Sequence, residues 1–338
     1  MIKGRKWKFP REFEENPRTM SIKDLIYFTY KYYFTSSVHL PQGVTFDYNN
    51  TAAFESELKG EKVTVSIGGD LMPYEMIVPE NSSELWTEIG DDFFGSDIVF
   101  ANLETPLDIS KAASFVPEVM LNHMLFNTNA KTFDVFSGNG HYKGFQVLSV
   151  ANNHSLDMGV NGIDSTMDFL ESKGISTVGA KKFPEDQPFV IKDVKGIKIG
   201  FIAYTYSLNQ FECPANFPDK VNLLPLNVEG CDISMIAEHA KLCREAGADL
   251  IICSAHCGNA YQAFPSKVTI ELFERIFKSA TVDIIAGGHP HNLQPWKYYK
   301  AADPVSGKMR KCFAIFSLAD FIAYDIYTWC HLCAYLKI

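Results

Sequence analysis

The sequence predicts an α/β protein with a mixed sheet, and two observations support this fold class. First, short apolar runs rich in β-branched residues recur from Glu61 onward, and several precede stretches whose apolar residues repeat at helical spacing. Strands that alternate with helices are typical of layered α/β proteins. Second, the runs at residues 189–193 and 197–204 are separated by three residues ending in Gly196, as in an antiparallel hairpin.

The predicted elements follow one another along most of the chain. Strands are predicted at residues 63–67, 98–101, 145–150, 177–178, 189–193, 197–204, 250–254, 282–286 and 312–317. Helices are predicted at residues 162–173, 233–246 and 268–279, the first because Ile163, Met167 and Leu170 form one apolar face. Residues 107–144 are rich in Asn and Gly and predict an irregular insertion. Residues 331–338 predict a final strand. The C-terminal sheet to which this strand belongs is expected to be incomplete or to end in a different edge strand.

Composition and charge bound the domain organisation and the partners. Residues 1–60 are aromatic and charged without a strand-and-helix rhythm, which predicts an extension packed on a main domain of residues 61–338. The chain has 46% hydrophobic residues, as ordinary globular proteins do. Its 31 basic against 40 acidic residues give a net charge of −9, which disfavours nucleic acid as a partner.

The cysteines and the N-terminus predict a cytoplasmic protein. The chain has 8 cysteines without a disulfide framework, and several lie inside apolar runs, as expected in a reducing compartment. The basic start has no apolar stretch behind it, so no signal peptide is predicted. The aromatic run at residues 26–34 is short and contains Lys31, so no membrane span is expected.

Polar side chains follow five of the predicted strands, at the point where each strand ends. They are Asp70, Asn102, Glu104, Asn152, Asn153, His154, His256, His289 and His291. Ligands of α/β proteins bind outside the carboxyl ends of the strands, so these side chains are expected to converge on one site.

The chemistry of this set predicts a metal centre. Imidazoles and carboxylates together suit zinc, manganese or iron. A structural zinc ion needs four ligands and usually takes thiolates, so the larger set here suits two divalent ions. Two-metal sites hold ions about 3.5–4 Å apart and need a bridging ligand, which Asp70 or Glu104 could supply.

Each residue has a simpler explanation when it is taken alone. Asp70 could belong to a turn, Asn102 and Asn153 could cap helices or turns, and His256 could be a core histidine. Their coincidence at five strand ends favours a site. Two rival sites were weighed, a zinc site around residues 253–257 and a Cys-x-x-Cys at residues 330–333. Each lacks a second matching pair. The remaining histidines, His39, His123, His141, His239 and His331, are expected to be surface or packing residues.

The order of these motifs carries a family resemblance. Asp70 is followed by N-L-E at residues 102–104, N-N-H at 152–154, His256, G-G-H-P-H at 287–291 and F-S-L-A-D-F at 316–321. Over residues 61–338 the sequence resembles the CapA family of poly-γ-glutamate capsule biosynthesis proteins, in the calcineurin-like metallophosphoesterase superfamily. The resemblance implies a four-layer αββα sandwich of two mixed sheets flanked by helices.

The resemblance also implies roles for the site residues. Asp70 and His291 would bind one metal, and Glu104 would stand where the bridging carboxylate sits. The second metal would be bound by Asn153, His256 and His289. His154 resembles a catalytic histidine that contacts the phosphate and protonates the leaving oxygen. Asn102, Asn152 and Asp320 are expected to support these ligands without binding a metal.

The implied activity is that of a metal-dependent hydrolase, a phosphoesterase linked to capsule-type polymer. The chain departs from the superfamily's D-x-H motif, because Asp70 is followed by Leu71 and Met72, so one metal is expected to be weakly held. Two alternatives stay open. In the first, the protein is a non-catalytic subunit that binds an anionic polymer within a synthase complex. In the second, the site binds no metal.

Overall fold

The computed structural model describes residues 26, 40, 43–46, 60–116, 125–322, 324 and 328–338. The elements are β1 (Val65–Leu71), α1 (Gly90–Phe94), β2 (Ile98–Leu103), α2 (Ala130–Phe136), β3 (Val147–Ser149), α3 (Gly159–Ser172), β4 (Ser176–Val178), β5 (Val190–Val194), β6 (Ile197–Thr205), α4 (Ser234–Glu245), β7 (Leu250–His256), α5 (Lys267–Ser279), β8 (Ile284–Gly288), β9 (Trp296–Ala302), β10 (Met309–Ile315), β11 (Asp320–Ile322), a 3₁₀ helix (Thr328–His331) and β12 (Leu336–Lys337).

The strands form two mixed sheets. The first has the order β11-β1-β2-β3-β4 with parallel pairing, and β12 pairs antiparallel with β1. The second has the order β5-β6-β7-β8-β10-β9, in which β5 and β9 are antiparallel to their neighbours. The predicted hairpin at residues 189–204 is β5 and β6, so the prediction of a mixed α/β architecture is confirmed.

The two sheets pack face to face and helices cover their outer faces. Phe100 of the first sheet and Phe201 of the second are both wholly buried, with ring centroids 5.1 Å apart. Ile163 and Leu170 of α3 belong to the same apolar cluster, whereas Phe273 of α5 belongs to a second cluster with the outer face of the second sheet. Burial of side chains on both faces of each sheet stabilises this arrangement. The expected four-layer sandwich is therefore confirmed.

Several predicted boundaries were wrong. Strand β1 runs on through Gly68 and Gly69 to Leu71. The neighbouring segment requires glycine at position 69, since a Cβ there would lie only 2.0 Å from the carbonyl oxygen of Ala319. Residues 107–144 are not simply an irregular insertion, since they contain α2 and the wholly buried Leu107. At the C-terminus only Leu336–Lys337 is a strand, and a 3₁₀ helix precedes it. Strand β9 escaped prediction because lysines interrupt its apolar pattern.

Most of the predicted extension, residues 1–60, lies outside the described residues. Of its described part, Phe46 contacts Phe316 edge-on at 5.9 Å, and Val44 packs against the second apolar cluster. The boundary at residue 61 stays a prediction. Among the residues that the structure describes, no helix combines the length and the apolar composition that a membrane crossing requires.

The half-buried His239 makes a pH dependence of stability predictable. Burial lowers the pKa of His239 to about 4, and Lys181 adds to the effect. Its Nδ1 lies 2.9 Å from the hydroxyl of the buried Tyr204. The unfolded chain protonates this imidazole below pH 6.5 whereas the folded chain does not. Stability should therefore fall by roughly 2 kcal/mol as the pH drops from about 6.5 to about 4, and then level off.

Urea unfolding at several pH values checks this expectation. His239→Gln should flatten the slope between pH 6.5 and 4, because glutamine does not titrate. His141→Gln, at an exposed position, should leave the slope as in the wild type. Equal slopes for the wild type and His239→Gln would contradict the assignment.

Candidate metal centre

The polar residues at the strand ends meet between the two sheets. Asp70 lies in β1, Glu104 directly follows β2, and Asn152 and Asn153 follow β3, all in the first sheet. From the facing sheet, His256 ends β7 and His289 follows β8. All of these side chains are buried. The structure therefore brings the predicted residues together, and it draws them from both sheets.

Two groups of residues within this cluster could each hold a metal ion. The first consists of Asp70, Glu104, His291 and Asp320, and the second of Glu104, His256 and His289. In each group one ligand atom per residue lies within 4.8 Å of all the others. Glu104 belongs to both groups, which is the position that a bridging carboxylate requires.

The donor atoms of this cluster fit a divalent cation. Among the described residues, neither carboxylate oxygen of Glu104 nor the Nδ1 atom of His289 has a hydrogen-bond partner, and all three atoms are buried. Such orphaned polar atoms are costly unless something satisfies them. A divalent cation bound by these carboxylate and imidazole atoms would satisfy all three, so the residues suit a divalent cation.

A chain of amides holds Asp70 in place. Asn102 donates from Nδ2 to Asp70 Oδ1 at 2.7 Å, and the backbone N–H of His289 donates to Asp70 Oδ2 at 2.8 Å. Asn152 in turn donates to the backbone oxygen of Leu103 at 2.7 Å and accepts from the backbone N–H of His154. Asn102 thus contacts the predicted ligand Asp70 directly, and Asn152 reaches it only through Asn102, to which it donates at 3.3 Å.

Asn153 and His256 are in direct contact. Oδ1 of Asn153 lies 2.7 Å from Nε2 of His256, and Nδ2 of Asn153 donates to Oδ1 of Asn209 at 3.3 Å. Asn209 therefore fixes which way the Asn153 amide faces. Sequence reasoning missed Asn209, because it lies in a loop after β6 with no motif to mark it.

His291 is paired with Asp320. Its Nδ1 lies 2.6 Å from Oδ1 of Asp320, whose Oδ2 accepts a hydrogen bond from Tyr74 at 2.9 Å. Tyr261 stacks on the His291 ring with centroids 5.4 Å apart. Tyr74 and Tyr261 were not predicted, since neither occurs in a recognisable ligand pattern.

His154 lies at the edge of the cluster with its own carboxylate. Its Nδ1 is 2.7 Å from Oδ2 of Asp157, which also accepts from the backbone N–H of Phe126 at 2.7 Å. The Phe126 ring stacks on the imidazole at 4.1 Å. The imidazole is close enough to His289 to affect its charge. Asp157 was missed, although it stands only three residues after His154 in the same turn.

The protonation of the cluster reflects its buried carboxylates. Burial disfavours the charge on His256, but Glu104 and Asp70 outweigh it and raise the pKa to about 9. Burial also disfavours the charge on His291, but Asp320 and Glu104 outweigh it and raise the pKa of His291 to about 10. Burial itself raises the pKa of Asp320 to about 6. The cluster is thus a negative environment that attracts cations.

The loops that carry these residues are conformationally unusual. His289, His291 and Ala319 have φ of 91°, 58° and 65°, in the left-handed region that non-glycine residues rarely adopt. Asn209 and Tyr261 lie in the same region. Such outliers cluster at functional sites, where the surrounding structure holds them.

The rival cysteine sites are not formed. Within the described residues none of the eight cysteines forms a disulfide bond, and neither metal-competent group contains one. Cys253 contacts the backbone oxygen of Ser254, and Cys333 that of Phe321. Of the remaining histidines, His141, His239 and His331 stand outside both groups, while His39 and His123 lie outside the described residues.

Comparison with known proteins gives consistent matches. The family model described as bacterial capsule synthesis protein PGA_cap matches residues 64–325. The PGA biosynthesis protein CapA of Bacillus subtilis is 28% identical over 244 residues, which cover 70% of this chain and 60% of that protein. The capsule biosynthesis protein CapA of Bacillus anthracis is 26% identical over 247 residues, 72% of this chain and 57% of that protein.

The chain spans about 60% of the length of these curated relatives. Among solved structures, the calcineurin-like phosphoesterase YfkN from Bacillus subtilis is similar with a TM-score of 0.38 and 17% identity. The similarity covers 72% of this chain and 75% of that one.

Proposed function

The chain belongs to the PGA_cap family of bacterial capsule synthesis proteins, and on that premise we propose that it is a metal-dependent hydrolase that cleaves a phosphoester. The observation that supports the proposal is Glu104, shared by two buried groups of metal-competent side chains. A pair of divalent ions at such a centre would supply Lewis-acid stabilisation of a phosphoryl group during displacement.

Asp70 and His291 would hold one ion, Asn153, His256 and His289 would hold the other, and Glu104 would serve both. Asn102 and Asn152 keep Asp70 and the β3 loop in register through the amide contacts described above. Asn209 keeps the oxygen of Asn153 directed at the cluster. Residues that orient ligands in this way contribute to metal affinity.

His154 is the proposed proton donor. Its Nδ1 faces the carboxylate of Asp157 at 2.7 Å, which leaves Nε2 as the nitrogen that can exchange a proton with substrate. Asp157 and the Phe126 ring fix the plane of the imidazole. A departing alkoxide needs a proton, and an oriented imidazole can supply one.

The relatives' names suggest a biological setting. They are capsule and PGA biosynthesis proteins, so we propose an anionic substrate, either a small phosphoester or a capsule-type polymer, and a synthase complex as partner. The whole relatives are longer than the matched part, so activity, substrate and partner are proposals for this chain.

One observation favours a second candidate function. Met72 stands two residues after Asp70, where the D-x-H motif has an imidazole, and it is buried with its sulfur 3.9 Å from the Tyr74 hydroxyl. A centre with one imidazole fewer could bind an anionic chain without hydrolysing it. The second candidate is therefore a polymer-binding or assembly subunit.

Replacing His154 by Ala separates these two functions. If the protein is a hydrolase, kcat should fall roughly 10²–10⁴-fold, because the proton donor is lost. The metal content should stay as in the wild type, since the proposed metal ligands are untouched. Turnover of phosphomonoesters and phosphodiesters with manganese, zinc or iron supplied is the measurement, together with elemental analysis.

The matched control is His141→Ala, at an exposed histidine outside the cluster, which should leave kcat unchanged. If metal-loaded wild type turns over none of these esters, the hydrolase proposal fails and the binding subunit is favoured. If His154→Ala is as active as the wild type, His154 is not the proton donor.

A further inference from the structure

The two groups that share Glu104 offer unequal sets of donor atoms. The first group, with Asp70, Glu104, Asp320 and His291, has three carboxylates and one imidazole. The second has one carboxylate and two imidazoles, to which Asn153 adds an amide oxygen 2.7 Å from His256. Oxygen ligands suit manganese and magnesium, whereas imidazoles suit zinc and iron. The two positions therefore differ in the metal they should prefer.

Asp320 accounts for much of this difference, because it supplies one of the three carboxylates of the first group and belongs only to that group. It begins β11, where its Cα is the register partner of Asp70 on β1, and it is 1% exposed. Its carboxylate is within 4.8 Å of the ligand atoms of Asp70, Glu104 and His291. The sequence assigned Asp320 only a supporting role, yet its distance from the other donors is that of a ligand.

The carboxylate of Asp320 retains the capacity to bind an ion. One of its oxygens contacts Nδ1 of His291 and the other accepts from Tyr74, so each has one of two lone pairs in use. The Tyr74 hydroxyl also lies 3.9 Å from the sulfur of Met72. Asp320 and Met72, the residue two positions after Asp70, therefore both contact the Tyr74 hydroxyl.

The negative charge of the first group also favours a cation bound at Asp320. Three carboxylates buried together repel one another, and burial of each charge is costly unless a cation compensates it. His291 and His256 together compensate at most two of the three, since His256 lies 3.7 Å from Asp70 and 3.4 Å from Glu104. The second group has one carboxylate for two imidazoles and has no such excess of negative charge.

We infer that Asp320 is a direct ligand of the first ion, and that the centre is a mixed one which takes Mn²⁺ or Mg²⁺ at Asp70, Glu104, His291 and Asp320 and Zn²⁺ at Glu104, His256, His289 and Asn153. The inference rests on the proposed function, because it concerns the same centre. It concerns metal choice, however, and can be tested without turnover.

Metal competition on the full chain tests the inference. Stripped wild-type protein is incubated with Zn²⁺ and a roughly 100-fold excess of Mn²⁺, because zinc binds more tightly than manganese to most protein sites. The bound metals are counted by elemental analysis and by the Mn²⁺ electron paramagnetic resonance spectrum. We expect about one of each ion per chain. Asp320→Asn should weaken Mn²⁺ binding roughly 100-fold while Zn²⁺ affinity changes less than about threefold, since only the first group loses a charge.

Asn at position 320 also separates a ligand from a supporting residue. The amide has the same size, and its single oxygen can still accept from His291, although the Tyr74 hydroxyl then loses its acceptor. The positioning of His291 would therefore largely survive the change. Tyr74→Phe removes a contact of Asp320 but no charge, and should cost less than about tenfold in Mn²⁺ affinity. His289→Ala should lose the Zn²⁺ ion and keep the Mn²⁺ ion.

The outcomes distinguish this inference from the proposed hydrolase. Two Zn²⁺ per wild-type chain from the manganese-rich mixture, or unchanged Mn²⁺ affinity in a folded Asp320→Asn protein, would overturn the inference. If such a two-zinc protein still hydrolyses phosphoesters, the proposed function stands. A mixed-metal protein without turnover supports the inference and defeats the hydrolase. Binding of neither ion overturns the inference.

Discussion

Replacing Glu104 by Gln is expected to remove both metal ions from the protein at once. Glu104 is the one residue common to the two metal-competent groups, and both its oxygens are buried without a hydrogen-bond partner among the described residues. The amide has the same size but no charge, so each ion loses a charged ligand. Affinity should fall roughly 10³-fold at each position, about 4 kcal/mol.

Elemental analysis and titration calorimetry with Mn²⁺ and Zn²⁺ measure this loss, and turnover should fall with it. The fold should persist, because Gln fills the same space and removes one of several buried carboxylates that repel one another. Glu238→Gln, on the exposed face of α4, is the matched control and should bind both ions as the wild type does. Loss of only one ion from Glu104→Gln would show that Glu104 does not bridge.

Replacing Gly288 by Ala is expected to disturb both stability and metal binding. A Cβ at this position would lie 2.5 Å from Oδ1 of Asp70. The carboxylate cannot turn aside, because Asn102 holds it at 2.7 Å and the N–H of His289 at 2.8 Å. Overpacking of this kind costs about 1–3 kcal/mol, and displacement of Asp70 should also weaken the first ion.

Urea unfolding of the metal-free protein measures the stability effect separately from the metal effect. The control is the double variant Asp70→Ala/Gly288→Ala, in which the side chain that meets the new Cβ is absent. It should be more stable than the sum of the two single changes predicts, because neighbouring substitutions couple. Additive effects would mean that the methyl group is accommodated without meeting Asp70.

The fold could be predicted to the level of its class and most of its strands. Apolar runs with turn residues between them identify β6 and β7, whose patterns are strong and central in the second sheet. Strand ends were less predictable, because they depend on neighbours. Strand β1 extends through two glycines, and the backbone of Ala319 approaches Gly69 too closely for any side chain to fit there. Edge strand β9 was missed because Lys297 and Lys300 interrupt its apolar periodicity.

The site could be predicted to the level of its motif residues. Every residue of the predicted ligand set lies in the buried cluster, because each stands at or just after the carboxyl end of a strand in one of the two facing sheets. The roles of these residues stay predictions. The residues that orient them were not predictable: Asn209 contacts Asn153 across 56 positions of sequence, and Tyr74 contacts Asp320 across 246. No local pattern marks such contacts.

The sequence by itself determined the α/β class, the positions of the polar residues at strand ends and the resemblance to a capsule-synthesis family. These follow from local periodicity and from short motifs, which chain order preserves. Only the tertiary structure decided which strand ends belong to which of the two sheets, which side chains share Glu104 within one ligand distance, and that Asp320 stands beside Asp70. The physical reason is that these relations depend on packing between distant segments, where burial and hydrogen bonding, and not sequence separation, determine which side chains meet.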